Sequence, residues 1–290
     1  MSVKRPLFVL TLTLGMVPGL FVSRAGVAAA SSWQITPSPD LPGAELYGVT
    51  AISENNAWTV GRTDETEPLI EHWDGTAWSV SPTPTLPSNG WLFGVSANGP
   101  RDVWAVGRQT SPGDGEELTL AEHWNGSKWK VVPTPNPYSG SIQDADELYG
   151  VQALSSSDVW AVGDAESPTH KIYGLVERWD GSTWSTAPAP RGVTSSISLT
   201  SDSLGWVAGS FGPKPAARWN GTSWKPQPTP LGSNGWFYDV LTQSKTSAWA
   251  VGGQTTDQDP SDYPLIEQYR KGTGWTVVSQ VPGTRDGYTR

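Results

Sequence analysis

From residue 46 onward, apolar and polar positions alternate in runs of four to seven residues. The runs are rich in Val, Ile, Leu and Trp and are bounded by Gly, Pro, Asn, Asp and Ser. That is the period of half-buried strands, and no segment sustains a helical period. The runs repeat. "AWTVG" ends at Gly61, "VWAVG" at Gly107 and again at Gly163, "GWVAG" at Gly209 and "AWAVG" at Gly252. Their tryptophans are Trp58, Trp104, Trp160, Trp206 and Trp249, and nine residues before each stands a β-branched aliphatic: Val49, Val95, Val151, Ile197 and Val240. Each unit reads as four strands. A holds that aliphatic, B the tryptophan motif, C "LIEHW" or its equivalent, and D opens at a further tryptophan. Four strands every ~45 residues predict an all-β fold, a β-propeller of four-stranded antiparallel blades. Large flat indoles fill the space between twisted sheets that cannot bury both faces alone.

The predicted blades cover about 46–90, 91–147, 148–192, 193–236 and 237–281, with 282–290 as a tail. Prolines stand four and six residues after each strand-D tryptophan: Pro82 and Pro84, Pro133 and Pro135, Pro188 and Pro190, Pro228 and Pro230. Proline cannot donate to a ladder, so D is the outermost strand. The stretch "SSWQITPSPD" obeys the same rule, with Pro37 and Pro39 after Trp33, and residues 31–45 read as a lone strand D. The last unit breaks it, with Ser279 and Val281 at those places. Either the ring has five blades and an extra strand, or the chain stops inside a further blade of an incomplete six- or seven-bladed ring; the tail, which looks like a D–A connection, favours the second.

Antiparallel order puts the A–B and C–D turns on one rim and the B–C and D–A loops on the other. The first rim is short and repetitive. The second is long and varied ("RQTSPGDGEEL", "DAESPTHKIYG", "QTTDQDPSDYP"), and varied loops on a rigid repeat are where binding is expected. In "EHWDGTAW", Glu71 to Trp78, Asp-Gly predicts a two-residue type I′ hairpin. Trp73 would then oppose Thr76, with Glu71 facing Trp78. "EHWNGSKW", "ERWDGSTW" and "ARWNGTSW" repeat it. Asp and Asn interchange there, as a turn tolerates and a catalytic carboxylate does not.

Residues 1–30 read as a secretory signal peptide: Lys4 and Arg5, an apolar run, then Ala28-Ala29-Ala30. Of 19 basic residues, its removal takes Lys4, Arg5 and Arg24, leaving 16 against 28 acidic residues, a formal −12. The expectation is an exported, secreted or envelope-associated monomer with no membrane span after processing and no affinity for nucleic acid. Cysteine is absent, which excludes disulfides and thiolate chemistry. The 17 tryptophans carry the packing instead.

The Trp-Ala-Val-Gly strand followed by an Asp-Gly-Thr-x-Trp turn resembles the Asp-box-related propellers, including the photosystem II assembly-factor type, within secreted bacterial tryptophan-rich repeat proteins. Asp74 stands four residues before Trp78 where an Asp-box has five. A second resemblance is to fucose-binding propeller lectins, whose repeats hold Trp-Asp-Gly-x-x-Trp after a glutamate. It implies Glu71, Glu122, Glu177 and Glu267 as sugar ligands, with Trp78, Trp129, Trp184 and Trp275 as stacking platforms. A structural reading has the same glutamates hydrogen-bonding between strands or to an indole N–H. Asp257, Asp259 and Asp262 are calcium candidates, as are Asp114, Glu116 and Glu117, although neither run matches a complete loop. Solvated acidic loops account for them more simply, and no cofactor is expected. His72 and His123 share a repeat position with Arg178, Arg218 and Gln268, which rules out a common metal site. The expected function is a non-catalytic module binding a glycan or an extracellular protein through the varied loops. A sialidase-like glycosidase and an assembly or scaffold factor are the alternatives.

Overall fold

The computed structural model describes residues 36–280, apart from 138–144, 168, 211–213, 231–234 and 257–258. The predicted signal peptide and the Trp33 strand lie outside the described residues. No helix among the described residues is long and apolar enough to cross a membrane.

Five antiparallel sheets follow one another, each ordered A-B-C-D as expected. Blade 1 holds β1 (Glu45–Ser53), β2 (Asn56–Arg62), β3 (Pro68–Trp73) and β4 (Trp78–Val80). Blade 2 holds β5 (Gly90–Gly99), β6 (Asp102–Thr110), β7 (Glu117–Trp124) and β8 (Trp129–Val131). Blade 3 holds β9 (Asp146–Ser155), β10 (Asp158–Glu166), β11 (Ile172–Trp179) and β12 (Trp184–Thr186). Blade 4 holds β13 (Val193–Ser201), β14 (Leu204–Ser210), β15 (Ala216–Trp219) and β16 (Trp224–Gln227). Blade 5 holds β17 (Gly235–Ser244), β18 (Ser247–Thr256), β19 (Asp259–Arg270) and β20 (Gly274–Gln280).

Proline sets the length of strand D. The ladder runs one residue beyond β4, β8 and β12, with Ser81, Val132 and Ala187 donating to Ile70, Ala121 and Val176, and stops at the proline that follows. Strand β20, without those prolines, runs for seven residues.

The C–D hairpin differs from expectation. Trp73 pairs with Trp78 and Glu71 with Val80, so the loop has four residues rather than two. Asp74 Oδ1 accepts from the Thr76 amide (2.8 Å), the Thr76 hydroxyl (2.7 Å) and the Ala77 amide (2.9 Å). A short acceptor that caps its own turn overrides the bare Asp-Gly preference. Gly75 takes φ +96° inside it. Asn125, Asp180 and Asn220 make the same bonds, which explains the Asp/Asn interchange.

The blades are joined by tryptophan. The strand-B indole of each blade packs against the strand-D aromatic of the next. Trp58 meets Trp129 at 5.3 Å, Trp104 meets Trp184 at 5.2 Å, and Trp206 meets Trp275 at 5.1 Å, all edge to face. Trp160 meets Trp219 at 5.3 Å and shares a core cluster with Trp224. Each of these four strand-B indoles is at most 2% exposed. Strand C supplies a lid from within the blade: His72 on Trp58 (4.2 Å), His123 on Trp104 (4.3 Å) and the Arg178 guanidinium on Trp160 (4.8 Å). The start of strand B holds each lid, with His72 bonded to Asn56, His123 to Asp102 and Arg178 to Asp158. A position that exchanges His for Arg is therefore a stacking position.

The last blade breaks the pattern. Trp249 is only half-buried, and on its face Val251 is 43% and Ile266 40% exposed, where Val60 and Ile70 are fully buried. At the other end Trp78 is half-buried and Val49 is 70% exposed. The described strands of blades 1 and 5 do not pack as neighbouring blades do. Among the described residues the five blades therefore form an arc whose first and last members are not joined as neighbours.

Replacing Trp160 with Ala should cost about 3–5 kcal/mol, since it empties a closed inter-blade site. Trp249→Ala should cost less than about 2 kcal/mol, in proportion to its lesser burial. Urea unfolding of both variants against the parent checks the ranking, and equal costs would mean that the blades are not joined in this way.

Candidate functional site

Strand A of each blade lies beside strand A of the next and lines a central cavity of about 400 Å³. The approach is close. A Cβ on Gly48 would stand 2.7 Å from the Phe93 carbonyl oxygen, and one on Gly94 2.7 Å from that of Tyr149.

Every strand A carries a β-bulge at the same place. The pairing with strand B steps from Leu46 to Gly48, Leu92 to Gly94, Leu148 to Gly150, Thr194 to Ser196 and Phe237 to Asp239. The residues skipped are Tyr47, Phe93, Tyr149, Ser195 and Tyr238; Tyr47, Tyr149, Ser195 and Tyr238 line the cavity, and Phe93 packs against two of those tyrosines. A bulge turns an unpaired side chain away from the alternation of its strand. Here it puts four aromatics and a serine around the arc. Tyr47 and Phe93 are 5.5 Å apart, as are Phe93 and Tyr149. Tyr47 and Tyr238 keep 43% and 64% of their surface exposed.

The bulges sit at the start of strand A, and hence on the rim of the B–C and D–A loops, the rim expected to carry function. A charged cluster surrounds them. Arg62, at the end of β2, reaches Glu45 (3.2 Å) and donates to the Tyr47 hydroxyl (3.1 Å). Tyr47 in turn donates to Glu45. In the next blade Arg108 bonds Glu117 (2.7 Å) and Glu147. The Arg62 and Arg108 guanidiniums lie 4.5 and 4.2 Å from the Trp91 ring centroid. Tyr149 donates to Glu147, and Asp164 lies close to both. Burial raises the Asp164 carboxyl to about 6 even though Tyr149 pulls it down. Asp164 occupies the repeat position of Arg62 and Arg108.

Sequence alternation missed these residues because a bulge breaks it. A signal was nevertheless present in the glycine that closes each Trp-Ala-Val-Gly run. A Cβ on Gly61 would fall 1.8 Å from the Glu45 carbonyl oxygen, and one on Gly107 1.8 Å from that of Trp91. These glycines admit the bulge opposite them.

The residues implied by the lectin resemblance lie elsewhere. Glu71, Glu122, Glu177 and Glu267 are at most 2% exposed, inside the sheets on strand C. Both carboxylate oxygens of Glu122, Glu177 and Glu267 lack a hydrogen-bond partner among the described residues, so the expected bond to a strand or indole N–H does not form. Trp129, Trp184 and Trp275 are buried in the inter-blade joints, and only Trp78, at the open end, keeps appreciable exposure. None of the three buried indoles presents a face to solvent as a sugar platform would. The calcium candidate Asp257 lies outside the described residues, and Asp259 and Asp262 fall in β19. Among the described residues no group of three or more His, Asp or Glu is arranged to hold a metal ion.

No protein-family model matches the chain, and no curated protein matches it. Solved structures do. The fungal lectin from Aleuria aurantia, a six-bladed β-propeller that recognises fucose, is 13% identical over 84% of this chain and 81% of that one, with a TM-score of 0.54. The GH74 xyloglucanase from Xanthomonas campestris is 14% identical over 84% of this chain and 39% of that one, with a TM-score of 0.55. YCF48 bound to D1 peptide is 15% identical over 84% and 88%, with a TM-score of 0.49. The fold is a β-propeller, and identities this low show the fold alone.

The buried glutamates give stability a pH dependence. Burial raises Glu122 from 4.5 to about 8 and Glu267 to about 7, and raises Glu177 well above its ordinary value. The folded state holds these protons more tightly than the unfolded chain. Their contribution is complete below about pH 4.5 and is lost as pH rises toward 8. Thermal unfolding should therefore show the melting temperature falling between pH 5 and pH 8. Glu122→Gln should flatten that slope and be more stable than the parent at pH 8.5 by about 1–3 kcal/mol. An unchanged slope would mean that the carboxyl is ionised inside the fold.

Proposed function

We propose that this is an exported, non-catalytic binding module that recognises an extracellular or envelope protein, or a glycan, at the mouth of its central cavity. The observation that carries the reading is the five-fold bulge. A bulge costs ladder hydrogen bonds, yet every blade repeats it at one place, and in four of the five the displaced residue lines the cavity. Four of the five displaced residues are aromatic. Aromatic side chains offer large contact area at low conformational cost. Tyr47 and Tyr149 each stand against a carboxylate, Glu45 and Glu147, so a ring face and a charge-assisted acceptor come together as polar ligands require.

Hydrolysis is the second reading, and one observation favours it. Glu147, ion-paired to Arg108 and accepting from the Tyr149 hydroxyl, lies near Asp164, which burial holds up to about 6. Two carboxyls close together in unlike surroundings are what glycoside hydrolysis uses.

The purified protein should retain a ligand on a glycan array or in a pull-down from extracellular and envelope fractions. Tyr47→Ala with Tyr238→Ala should weaken retention at least tenfold, with the melting temperature nearly unchanged because both residues are exposed. Glu177→Gln should leave retention intact. The reverse pattern would move the site to strand C. Turnover of a glycan, abolished by Asp164→Asn, would replace the binding reading with the hydrolytic one.

A further inference from the structure

The cavity itself has a chemical character that the rim does not. Its wall is aromatic on three of five blades, through Tyr47, Tyr149 and Tyr238, with Phe93 packed against the first two. The positions next to these residues are Gly48, Gly94, Gly150, Ser196 and Asp239. The first three are kept small by the close approach of the neighbouring strand. Only the last blade puts a charge there, and Asp239 is the one charged residue that lines the cavity among the described residues. It is exposed and held in place. Its Oδ1 accepts from the Ser196 hydroxyl (2.5 Å) and from the Val240 amide (2.8 Å). Among the described residues Oδ2 takes no hydrogen bond.

Above this wall the rim is acidic in balance. Glu45, Glu117, Glu147 and Asp164 face Arg62 and Arg108. Both guanidiniums are already engaged by carboxylates and lie over Trp91. With Asp239 the count is five carboxyls to two cations.

We propose that the cavity receives an alkylammonium group, with its positive charge against the aromatic faces and the Asp239 carboxylate beyond them. Ring faces carry negative potential and attract cations, most strongly where water is partly excluded. A carboxylate at the end of an aromatic wall adds a charge-assisted partner that an aliphatic or neutral polar ligand cannot use. The volume of about 400 Å³ takes such a group with the stem that carries it. A lysine side chain and a choline headgroup offer the same chemistry. The inference rests on the cavity being the binding site, and it names the part of the ligand that enters.

The test is a titration of the mature protein with ring-¹³C-labelled tyrosine, followed by NMR. The probes are N-acetyl-lysine amide, choline, and 3,3-dimethylbutanol, the neutral carbon analogue of choline. The signals of Tyr47, Tyr149 and Tyr238, assigned by Tyr→Phe variants, should shift with a charged probe. The neutral analogue should bind at least tenfold more weakly. Asp239→Asn keeps an oxygen for the Val240 amide and should fold, and it should weaken the charged probe by about tenfold. Which charged probe binds distinguishes a protein side chain from a headgroup. Equal binding of the neutral analogue, or no effect of Asp239→Asn, would overturn the inference. Tyrosine shifts with saccharides alone would overturn it and leave the binding reading standing. Retention of a natural ligand by a protein whose tyrosine signals do not move would overturn both.

Discussion

The structure depends on one contact, the strand-B indole of each of the first four blades set edge to face against a tryptophan of the next, on strand D in three cases and on strand C in one. A single four-stranded sheet cannot bury both faces. The indoles fill the wedge between twisted sheets, and histidine or arginine from strand C closes each from within. Without cysteine, this burial has to do what disulfides do in many exported domains. At Trp249, which has no such partner among the described residues, the surrounding Val251 and Ile266 lie open.

The same joint determines the site. It draws neighbouring blades together until their strands A touch, which excludes a side chain at Gly48 and Gly94. The bulge one residue earlier then has only the cavity to turn into. Tyr47, Tyr149 and Tyr238 arrive there as a consequence of packing, and the varied sequence of the B–C and D–A rim decides what surrounds them. Arg62 and Arg108 occupy a repeat position that becomes Asp164 in the third blade, so one backbone place carries either sign of charge. The repeat builds the frame, and its departures from itself, Asp164 and Asp239 above all, give the site its chemistry.

Much of this was legible in the sequence. The spacing of Trp58, Trp104, Trp160, Trp206 and Trp249 fixes the blade, because the first four fill the same joint and Trp249 holds the matching place in the last blade. The prolines after Trp78, Trp129 and Trp184 mark the outer strand, because they end its ladder. The hairpin was misread because the Asp-Gly rule counts backbone preference and leaves out the bonds that Asp74 Oδ1 makes to its own turn. The glutamates misled in another way. Polar residues on strands are expected to face water, yet strict alternation places Glu122 and Glu177 on the face toward the preceding blade, where packing buries them. The tyrosines of the cavity were illegible to any two-residue period, since a bulge suspends that period. The glycine of Trp-Ala-Val-Gly announced the bulge without saying which side chain it would turn.

The account stands most directly on the joint between blades, and a double-mutant cycle on Trp104 and Trp184 tests it. Each residue is replaced with Ala singly and together, and unfolding free energies are measured for all four proteins. Two edge-to-face indoles from adjacent blades should show a coupling of about 1 kcal/mol. The tyrosine signals of the cavity should move in each single variant that still folds, because the joint positions strand A. Strictly additive costs, with the tyrosine signals in place, would show that the indoles fill space independently and that something else holds the arc together.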